Sequence, residues 1–540
     1  MDFFKFFKFH KYNKPQATEA PENVVPASES VMDDIQPQTE SATITDDQSK
    51  FNSTINIATN IAQLENEFRV TLISLTNPTG NNPSKSSTSS YSITDSGPSY
   101  EDYHFVRLNT VKKDDLCSIA QRMKSARNLE KGVEVYQSVR KTFLDTSLRK
   151  LGIKKLSMSD IRSLEWGAFE GTIRQWIQGA KIWVSVLFVS EKRLCKHVFG
   201  GLGNGIDDNC FAGTVKDPAF QLFETGKALS ICAGDRSRHP EKLFRILDLH
   251  QMLVQLLDDL DIIFKSKSLE SVGIAAAEMQ SQLAKAARET LLQFENDMLH
   301  EQSHFQDQRG GIDRVTTFVT KYISQIAYYN EGLTKLIVSK PDYRSNICGD
   351  HMTIPEVKLA QLDACTSSTP LVVHLIWIIE ILQFKLEAKS KCYADASLTQ
   401  LFMMNNVHYI VEKIKEDQDL GEMIGEDYLK TLIENVQLRM NAYMGLTWER
   451  VLYCLRDEGL YASPGASLKV SKTTLKERFK TFNATLEEVH QNQAKWVVPN
   501  GHIRSKLCHS ISEKLIGAYS SFFKRFKSHL GNQNQQEKYI

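Results

Sequence analysis

The sequence has no net charge to attract a polyanion and no cysteine pattern of the kind that holds a metal. Its 65 lysine and arginine residues equal its 65 aspartate and glutamate residues, and whole-protein attraction to nucleic acid requires an excess of positive charge. Nine cysteines are dispersed along the chain, and no two are spaced C-x-x-C. An odd, scattered set in a long chain is typical of reduced, intracellular proteins. We therefore expect no nucleic-acid partner and an intracellular location.

The sequence also lacks an apolar stretch of membrane-spanning length. Its longest apolar run, at 371–384, is interrupted by His374, Glu380 and Gln383, and it is shorter than the roughly 20 residues that cross a bilayer. The N-terminus has no uninterrupted apolar core followed by a small-residue cleavage site, so no secretory signal is predicted. The run at 371–384 is predicted to be a buried helix.

No motif in the sequence indicates catalysis, a metal or a cofactor. The glycine-rich segment Gly200–Gly205 is not followed by the Lys-Ser/Thr pair of a phosphate-binding loop, and it is predicted to connect two helices. His408 and Glu412 share a helix face, but no third or fourth zinc ligand is near them in sequence. His408 is therefore interpreted as a hydrogen-bonded histidine at a boundary between helices. We expect the protein not to be an enzyme.

What the sequence does contain is helical periodicity. In Leu401–Lys415 (LFMMNNVHYIVEKIK), apolar residues form one stripe, and Asn405, His408, Glu412 and Lys415 form a polar strip on the opposite face. This helix is therefore expected to pack on one side only and to expose the polar strip. Ser157–Asp160 and Thr474–Glu477 have the form of capping boxes that begin helices. Period-two alternation of strand length is almost absent. These patterns predict an all-α fold, an elongated rod of stacked antiparallel helical bundles.

The composition divides the chain into three regions. Residues 1–14 (MDFFKFFKFHKYNK) form an aromatic and basic head, and residues 115–540 form the predicted helical rod. Between them, residues 15–110 are predicted to be a largely disordered arm, acidic at first and rich in Ser, Thr, Asn and Pro over 76–99. Such segments bury too little apolar surface to offset their ordering entropy. Within the arm, only Ile55–Leu75 has helical character.

Two basic features suit a membrane surface. In the head, Lys5, Lys8 and Lys11 alternate with phenylalanines, a composition that fits the headgroup boundary, with a disordered tail or a partner-binding peptide as the alternative. The second feature is the C-terminal region, where basic residues from Arg504 onward outnumber acidic ones. Each contributes about 1 kcal/mol near an anionic leaflet, and a solvated basic helix is the alternative interpretation.

Several long segments in the second half of the chain carry a family resemblance. They are Pro370–Phe384 (PLVVHLIWIIEILQF), Leu401–Lys415, Trp448–Leu460 (WERVLYCLRDEGL), Leu475–Asn483 (LKERFKTFN), Gln493–Pro499 (QAKWVVP) and Ile511–Phe526 (ISEKLIGAYSSFFKRF). In this order they strongly resemble the seventy-kilodalton subunit of the exocyst, plant type, and the resemblance runs from about residue 115 to residue 540.

The resemblance implies a non-catalytic helical rod that helps tether secretory vesicles to the plasma membrane. It implies phosphoinositide binding by basic residues near the C-terminus, and contacts with other exocyst subunits and small GTPases. The sequence departs from the family pattern at both ends. The head and arm stand where the family has a long helical segment, and at the other end the sequence closes on Glu537–Ile540, which retains Lys538 of a lipid-binding motif.

We therefore expect an exocyst subunit located in the cytoplasm and peripherally at the plasma membrane. The expected lipid-binding residues are Lys524, Arg525, Lys527 and Lys538, with Lys5, Lys8 and Lys11 as an auxiliary membrane contact. The alternative is a helical scaffold of the same fold that works as an adaptor outside the complex, in defence or symbiotic signalling.

Overall fold

The computed structural model describes residues 47–76, 110–151, 153, 156–203, 205–235, 240–300, 309–341, 368–461 and 470–530. Over these residues the fold is helical, and one isolated β-bridge joins Tyr461 to Val470. The all-α prediction is thus confirmed for the described part of the chain. The predicted head at 1–14 and most of the predicted arm lie outside the described residues, although the arm's helical pattern falls within a described helix, Asp47–Thr76.

Seventeen α-helices are described, together with a π-helical turn at Trp183–Phe188 and 3₁₀ turns at Lys267–Leu269 and Lys527–His529. The α-helices are α1 (Asp47–Thr76), α2 (Thr110–Ser125), α3 (Leu129–Lys150), α4 (Met158–Ser163), α5 (Trp166–Ile182), α6 (Val189–Phe199), α7 (Ile206–Asp235), α8 (Lys242–Ile263), α9 (Glu270–His300), α10 (Arg314–Tyr328), α11 (Asn330–Leu336), α12 (Pro370–Ser390), α13 (Ala396–Glu416), α14 (Gln418–Ile424), α15 (Glu426–Tyr453), α16 (Lys472–Gln493) and α17 (Gly501–Phe526).

The described residues divide into two compact units. The first is drawn from those that fall within 1–154, 178–222 and 259–273, and the second from those within 155–177, 223–258 and 274–540.

The core of the first unit contains a buried ion pair between α3 and α6. Nη2 of Arg140 lies 2.6 Å from Oε2 of Glu191, and both side chains are almost completely buried. The Tyr136 hydroxyl donates to the other carboxylate oxygen at 2.9 Å, and the Tyr136 ring packs edge-on against Phe199. The carboxylate is therefore compensated by two donors in a region from which apolar side chains exclude water.

In the second unit, α12 is enclosed by other helices. Its residues from 371 to 383 are all buried, as expected of a helix that is apolar on every side. The prediction of a buried helix at 371–384 is confirmed. Among its polar residues, His374 has both ring nitrogens engaged: Nδ1 lies 2.5 Å from Glu295 Oε1, and Nε2 lies 3.1 Å from the carbonyl oxygen of Ser339.

Helix α13 contains the segment in which an exposed polar strip was expected. The prediction is wrong for Asn405, which is 5% exposed. Its Nδ2 donates to the carbonyl oxygens of Gly310 at 2.7 Å and of Val497 at 2.8 Å. At Asn405 the strip is therefore polar because the side chain binds backbone of other segments. His408 is half-buried, and its Nδ1 lies 3.5 Å from Oε2 of Glu412, one turn further along the same helix.

One of the two predicted capping boxes is present. Ser157 accepts a hydrogen bond from the Asp160 amide at 3.2 Å, and the Asp160 carboxylate accepts one from the Ser157 amide at 2.9 Å. The second prediction is wrong, because α16 begins one residue after Ser471, whose hydroxyl accepts from the Thr474 amide at 3.3 Å. No helix among those described is long and apolar enough to cross a membrane.

Candidate functional site

Helices α16 and α17 pack against each other through aromatic rings. Phe479 of α16 lies 5.4 Å from Phe522 and 5.8 Å from Tyr519 of α17, measured between ring centroids. The buried positions of α16 follow the three-and-four spacing that places them on one helix face. Asn500 caps α17 by accepting from the Ile503 amide at 2.9 Å. The two helices therefore form a packed pair with a shared aromatic core.

This pair is strongly basic, although the whole chain is neutral. Residues 470–530 contain eleven lysines and arginines and only four acidic residues. The basic ones are Lys472, Lys476, Arg478, Lys480, Lys495, Arg504, Lys506, Lys514, Lys524, Arg525 and Lys527. Such local asymmetry attracts anions even when the net charge of the protein is zero.

The structure places three of the predicted lipid-binding residues at the C-terminal end of α17. Lys524 and Arg525 lie in its last turn, Lys527 lies in the 3₁₀ turn that follows, and all three side chains are exposed. Arg525 is also engaged within the protein, because its Nη1 forms an ion pair with Asp457. Lys538, Lys5, Lys8 and Lys11 lie outside the described residues.

Residues 457–458, in the segment that precedes α16, contact one side of the helix pair. Arg525 of α17 pairs with Asp457, and Nη2 of Arg478 in α16 donates to the carbonyl oxygen of Glu458 at 2.6 Å. Both arginines therefore point toward the same segment.

Three further lysines were missed by sequence reasoning. Lys472, Lys476 and Lys480 occur at intervals of four along α16, and all are exposed. None of them forms an ion pair with another described residue. Glu488, also on α16, pairs instead with Arg450 of α15. The signal was present as the i, i+4, i+8 spacing, but it lies upstream of Arg504, where the basic region was taken to begin.

The structure also describes the other segments that the sequence analysis weighed for chemistry. In the described part of the chain, no group of three or more His, Cys, Asp and Glu side chains is arranged to hold a metal ion. Burial lowers the pKa of His408 and so favours its neutral form. Gly200–Gly205 connects α6 to α7, as predicted, with Gly201 and Gly205 at positive φ.

Comparisons with known proteins agree with the resemblance seen in the sequence. Residues 174–540 match the family model described as the C-terminal part of the Exo70 exocyst complex subunit. Over 431 residues the chain is 31% identical to exocyst complex component EXO70A1 of Arabidopsis thaliana. This match covers 79% of this chain and 63% of that protein. The chain thus spans less than two thirds of that relative's length.

Two further comparisons support the same assignment. Exocyst complex component EXO70A3 of Arabidopsis thaliana is 30% identical over 425 residues, covering 79% of this chain and 68% of that protein. The solved structure of Saccharomyces cerevisiae Exo70 superimposes with a TM-score of 0.50 at 12% identity, covering 93% of this chain and 87% of that chain, so the fold is shared. The chain belongs to the Exo70 family of exocyst complex subunits.

Proposed function

We propose that this protein is a non-catalytic exocyst subunit that helps tether secretory vesicles to the plasma membrane. The observation that carries the proposal is the basic helix pair α16–α17 in a chain whose net charge is zero. In this role the pair contacts acidic phosphoinositides, through Lys524, Arg525 and Lys527 together with Lys538, and Lys5, Lys8 and Lys11 act as an auxiliary membrane contact. The protein is then cytoplasmic and peripheral at the plasma membrane.

The size of the electrostatic attraction explains why such a protein works within an assembly. Each basic side chain near an anionic leaflet contributes about 1 kcal/mol. Four engaged side chains give about 4 kcal/mol, which corresponds to a dissociation constant near the millimolar range. A single molecule therefore binds the membrane only briefly. Several contacts in one complex raise the effective concentration and hold the assembly in place.

The proposed protein partners follow from family membership. They are the other exocyst subunits and small GTPases, and no nucleic acid is expected because the chain lacks an overall positive charge. The test of membership is affinity purification of the full chain from cells of its source. Recovery of the other exocyst subunits in near-equal amounts supports the proposal. Their absence contradicts it and favours the adaptor that works outside the complex.

The lipid contact is tested separately with purified protein. The full chain is expected to sediment with phosphatidylcholine vesicles that contain phosphatidylinositol bisphosphate, and to be released by salt, because ions screen exposed charges within about 10 Å at 0.1 M. Equal recovery with phosphatidylcholine vesicles alone, or no recovery at low salt, contradicts the lipid contact.

A further inference from the structure

Helix α15 carries an exposed apolar stripe. Leu438, Leu446 and Tyr453 are 63%, 52% and 51% exposed. The opposite side of the helix is buried in the second unit, where Met440 and Val451 belong to the core. Because a helix advances about 100° per residue, the three exposed residues lie along the side of α15 that faces away from the unit. An exposed apolar stripe of this kind is typical of a surface that contacts another molecule.

The exposed side of α15 is arranged evenly about Gly445. Leu438 precedes this glycine by seven residues, and Leu452, half-buried, follows it by seven. Seven residues make almost two whole turns, so both leucines lie on the same side of the helix as the glycine. A Cβ added at Gly445 would meet nothing within 4 Å. A second helix can therefore approach α15 closely at this point, because the distance between packed helices depends on the side chains at the contact.

Opposite charges lie at the two ends of the stripe. Glu434 precedes Gly445 by eleven residues, which is about three turns and places it on the same side of α15. Arg456 follows Gly445 by eleven residues and lies just beyond the last helical residue, Tyr453. Its guanidinium stacks over the Tyr453 ring, 4.8 Å from the ring centroid. Glu434 and Arg456 are both exposed, and neither forms an ion pair with another described residue.

This surface is complementary to itself when two copies of α15 lie antiparallel. If Gly445 meets Gly445 of a second copy, each residue lies opposite the one at the same distance on the other side of the glycine. Leu438 then faces Leu452, and Glu434 faces Arg456. Each contact occurs twice, because a two-fold interface uses the same surface on both copies. The arrangement thus joins apolar to apolar surface and each free carboxylate to a free guanidinium.

A further carboxylate on this side of α15 selects the antiparallel orientation. Glu449 follows Gly445 by four residues, Asn441 precedes it by four, and both are exposed. In the antiparallel pair Glu449 lies opposite Asn441, whose side-chain amide donates hydrogen bonds. A parallel pair would place Glu449 against Glu449 and Glu434 against Glu434, and like charges brought together oppose association.

We propose that α15 is a self-association surface through which two copies of this chain form an antiparallel contact with two-fold symmetry. The apolar stripe supplies the buried area, and the two pairs of Glu434 with Arg456 set the orientation and the register. The contact is about 33 Å long from Glu434 to Arg456, at about 1.5 Å per residue. One helix face of this length forms a small interface, so the association is weak and reversible. The proposal does not depend on lipid binding.

Cross-linking of the full chain tests the register. Gly445→Cys places a thiol on the two-fold axis, where it meets its own counterpart. Ile433→Cys is the matched control, because Ile433 is 41% exposed on the same helix but lies about 120° away around it. With a short bismaleimide, Gly445→Cys is expected to give about tenfold more covalent dimer than Ile433→Cys, since apposition raises the effective concentration of the second thiol. The native cysteines are the same in both variants, and the wild type gives their background.

Charge reversal tests the orientation. Glu434→Arg and Arg456→Glu each replace two attractive pairs by two repulsive ones, so each is expected to weaken association about tenfold. The double variant E434R/R456E restores opposite charges and is expected to return to within about threefold of wild type. Association is measured by sedimentation velocity over a concentration series at low salt. Retention of the wild-type circular dichroism spectrum and melting transition verifies that each variant folds.

Each result supports or overturns the proposal. Selective cross-linking of Gly445→Cys, with association lost in both single reversals and recovered in the double variant, supports it. If Gly445→Cys gives no more covalent dimer than Ile433→Cys, α15 does not lie on the axis of a dimer. If the wild type associates and neither single reversal weakens it, the contact lies elsewhere. If both reversals weaken association and the double variant does not recover it, Glu434 does not face Arg456, and the antiparallel register is wrong.

Discussion

Replacing Asn406 by leucine is expected to be among the most damaging single changes in the second unit. Asn406 is fully buried in α13. Its Oδ1 accepts from the Asp313 amide at 2.8 Å and from the Thr316 hydroxyl at 2.7 Å. Its Nδ2 donates to the carbonyl oxygen of Gly311 at 3.1 Å, and to that of Phe402 in its own helix at 2.8 Å. One side chain thus binds three groups at the start of α10.

The size of the loss follows from which groups are left without a partner. Leucine matches asparagine roughly in size and leaves the Asp313 amide and the Thr316 hydroxyl buried without the oxygen that accepts from them. Each unpaired buried group costs about 1–3 kcal/mol, and the added apolar side chain returns about 1–2 kcal/mol. We expect the free energy of unfolding to fall by about 3 kcal/mol, a large part of the 5–15 kcal/mol typical of a folded domain.

The assay combines a global and a local measurement. Urea unfolding followed by circular dichroism gives the change in the free energy of unfolding, and hydrogen exchange reports protection of the Asp313 amide. Asn483→Leu, at an exposed position of α16, is the matched control and should change stability by less than about 0.5 kcal/mol. If Asn406→Leu unfolds like the control and the Asp313 amide stays protected, the stabilising role assigned to this amide is refuted.

Three further predictions concern buried groups. Arg140→Met and Glu191→Leu should each lower the free energy of unfolding by about 3–5 kcal/mol, because the remaining charge is buried without its partner, and the double variant should recover most of the loss in urea unfolding. Burial lowers the pKa of His250, so the unfolded state binds more protons below pH ~6.5; stability should fall from pH ~7 to ~5, and less steeply in His250→Gln, as measured by the urea midpoint at each pH. Gly226→Ala should lower the melting temperature, because its Cβ would lie 2.5 Å from a tryptophan ring, whereas Gly273→Ala, which meets nothing within 4 Å in an exposed helix position, should raise it.

Local periodicity predicted most of the helices because the patterns that favour a helix lie within a few residues of each other. The apolar run at 371–384 became α12, and Ser157 begins α4 with a complete capping box. Both features depend on residues within a few positions of each other. The second capping box was predicted at the wrong residue, because the local pattern alone does not determine where α16 begins. Thr474 fits the pattern, but Ser471 is the residue whose backbone leaves the helical conformation, and its amide donates to the carbonyl oxygen of Leu460 at 3.1 Å.

The polar strip on α13 could not have been assigned correctly from its own sequence. A helix with asparagines opposite an apolar stripe is normally exposed on that side. Here the Asn405 amide donates to Gly310 and Val497, which lie 95 and 92 residues away in sequence. The residue types are the same for a solvated strip and for a strip that binds backbone. A solvated strip and a strip that binds backbone differ only in whether distant carbonyl groups pack against the helix. No local sequence pattern contains that information.

The basic residues at the end of α17 were predicted, but those along α16 were not. Charge counting identified the end of α17 correctly as exposed and basic. It could not predict that Arg525 is held by Asp457, because that ion pair is a contact across 68 residues of sequence. The row on α16 was present in the sequence as evenly spaced lysines.

The placement of lysines on packed helices affects the free energy of membrane binding. Lys472, Lys476 and Lys480 project from one packed helix, so binding several of them requires no rearrangement of backbone. The remaining cost is the ordering of side chains, about 0.5–1.5 kcal/mol for each one immobilised, which offsets much of the attraction of each lysine to a headgroup. A surface of this kind stays weak in isolation and reversible. Its affinity rises steeply only when several copies or subunits contact the same membrane, and this is the behaviour that a tethering complex requires.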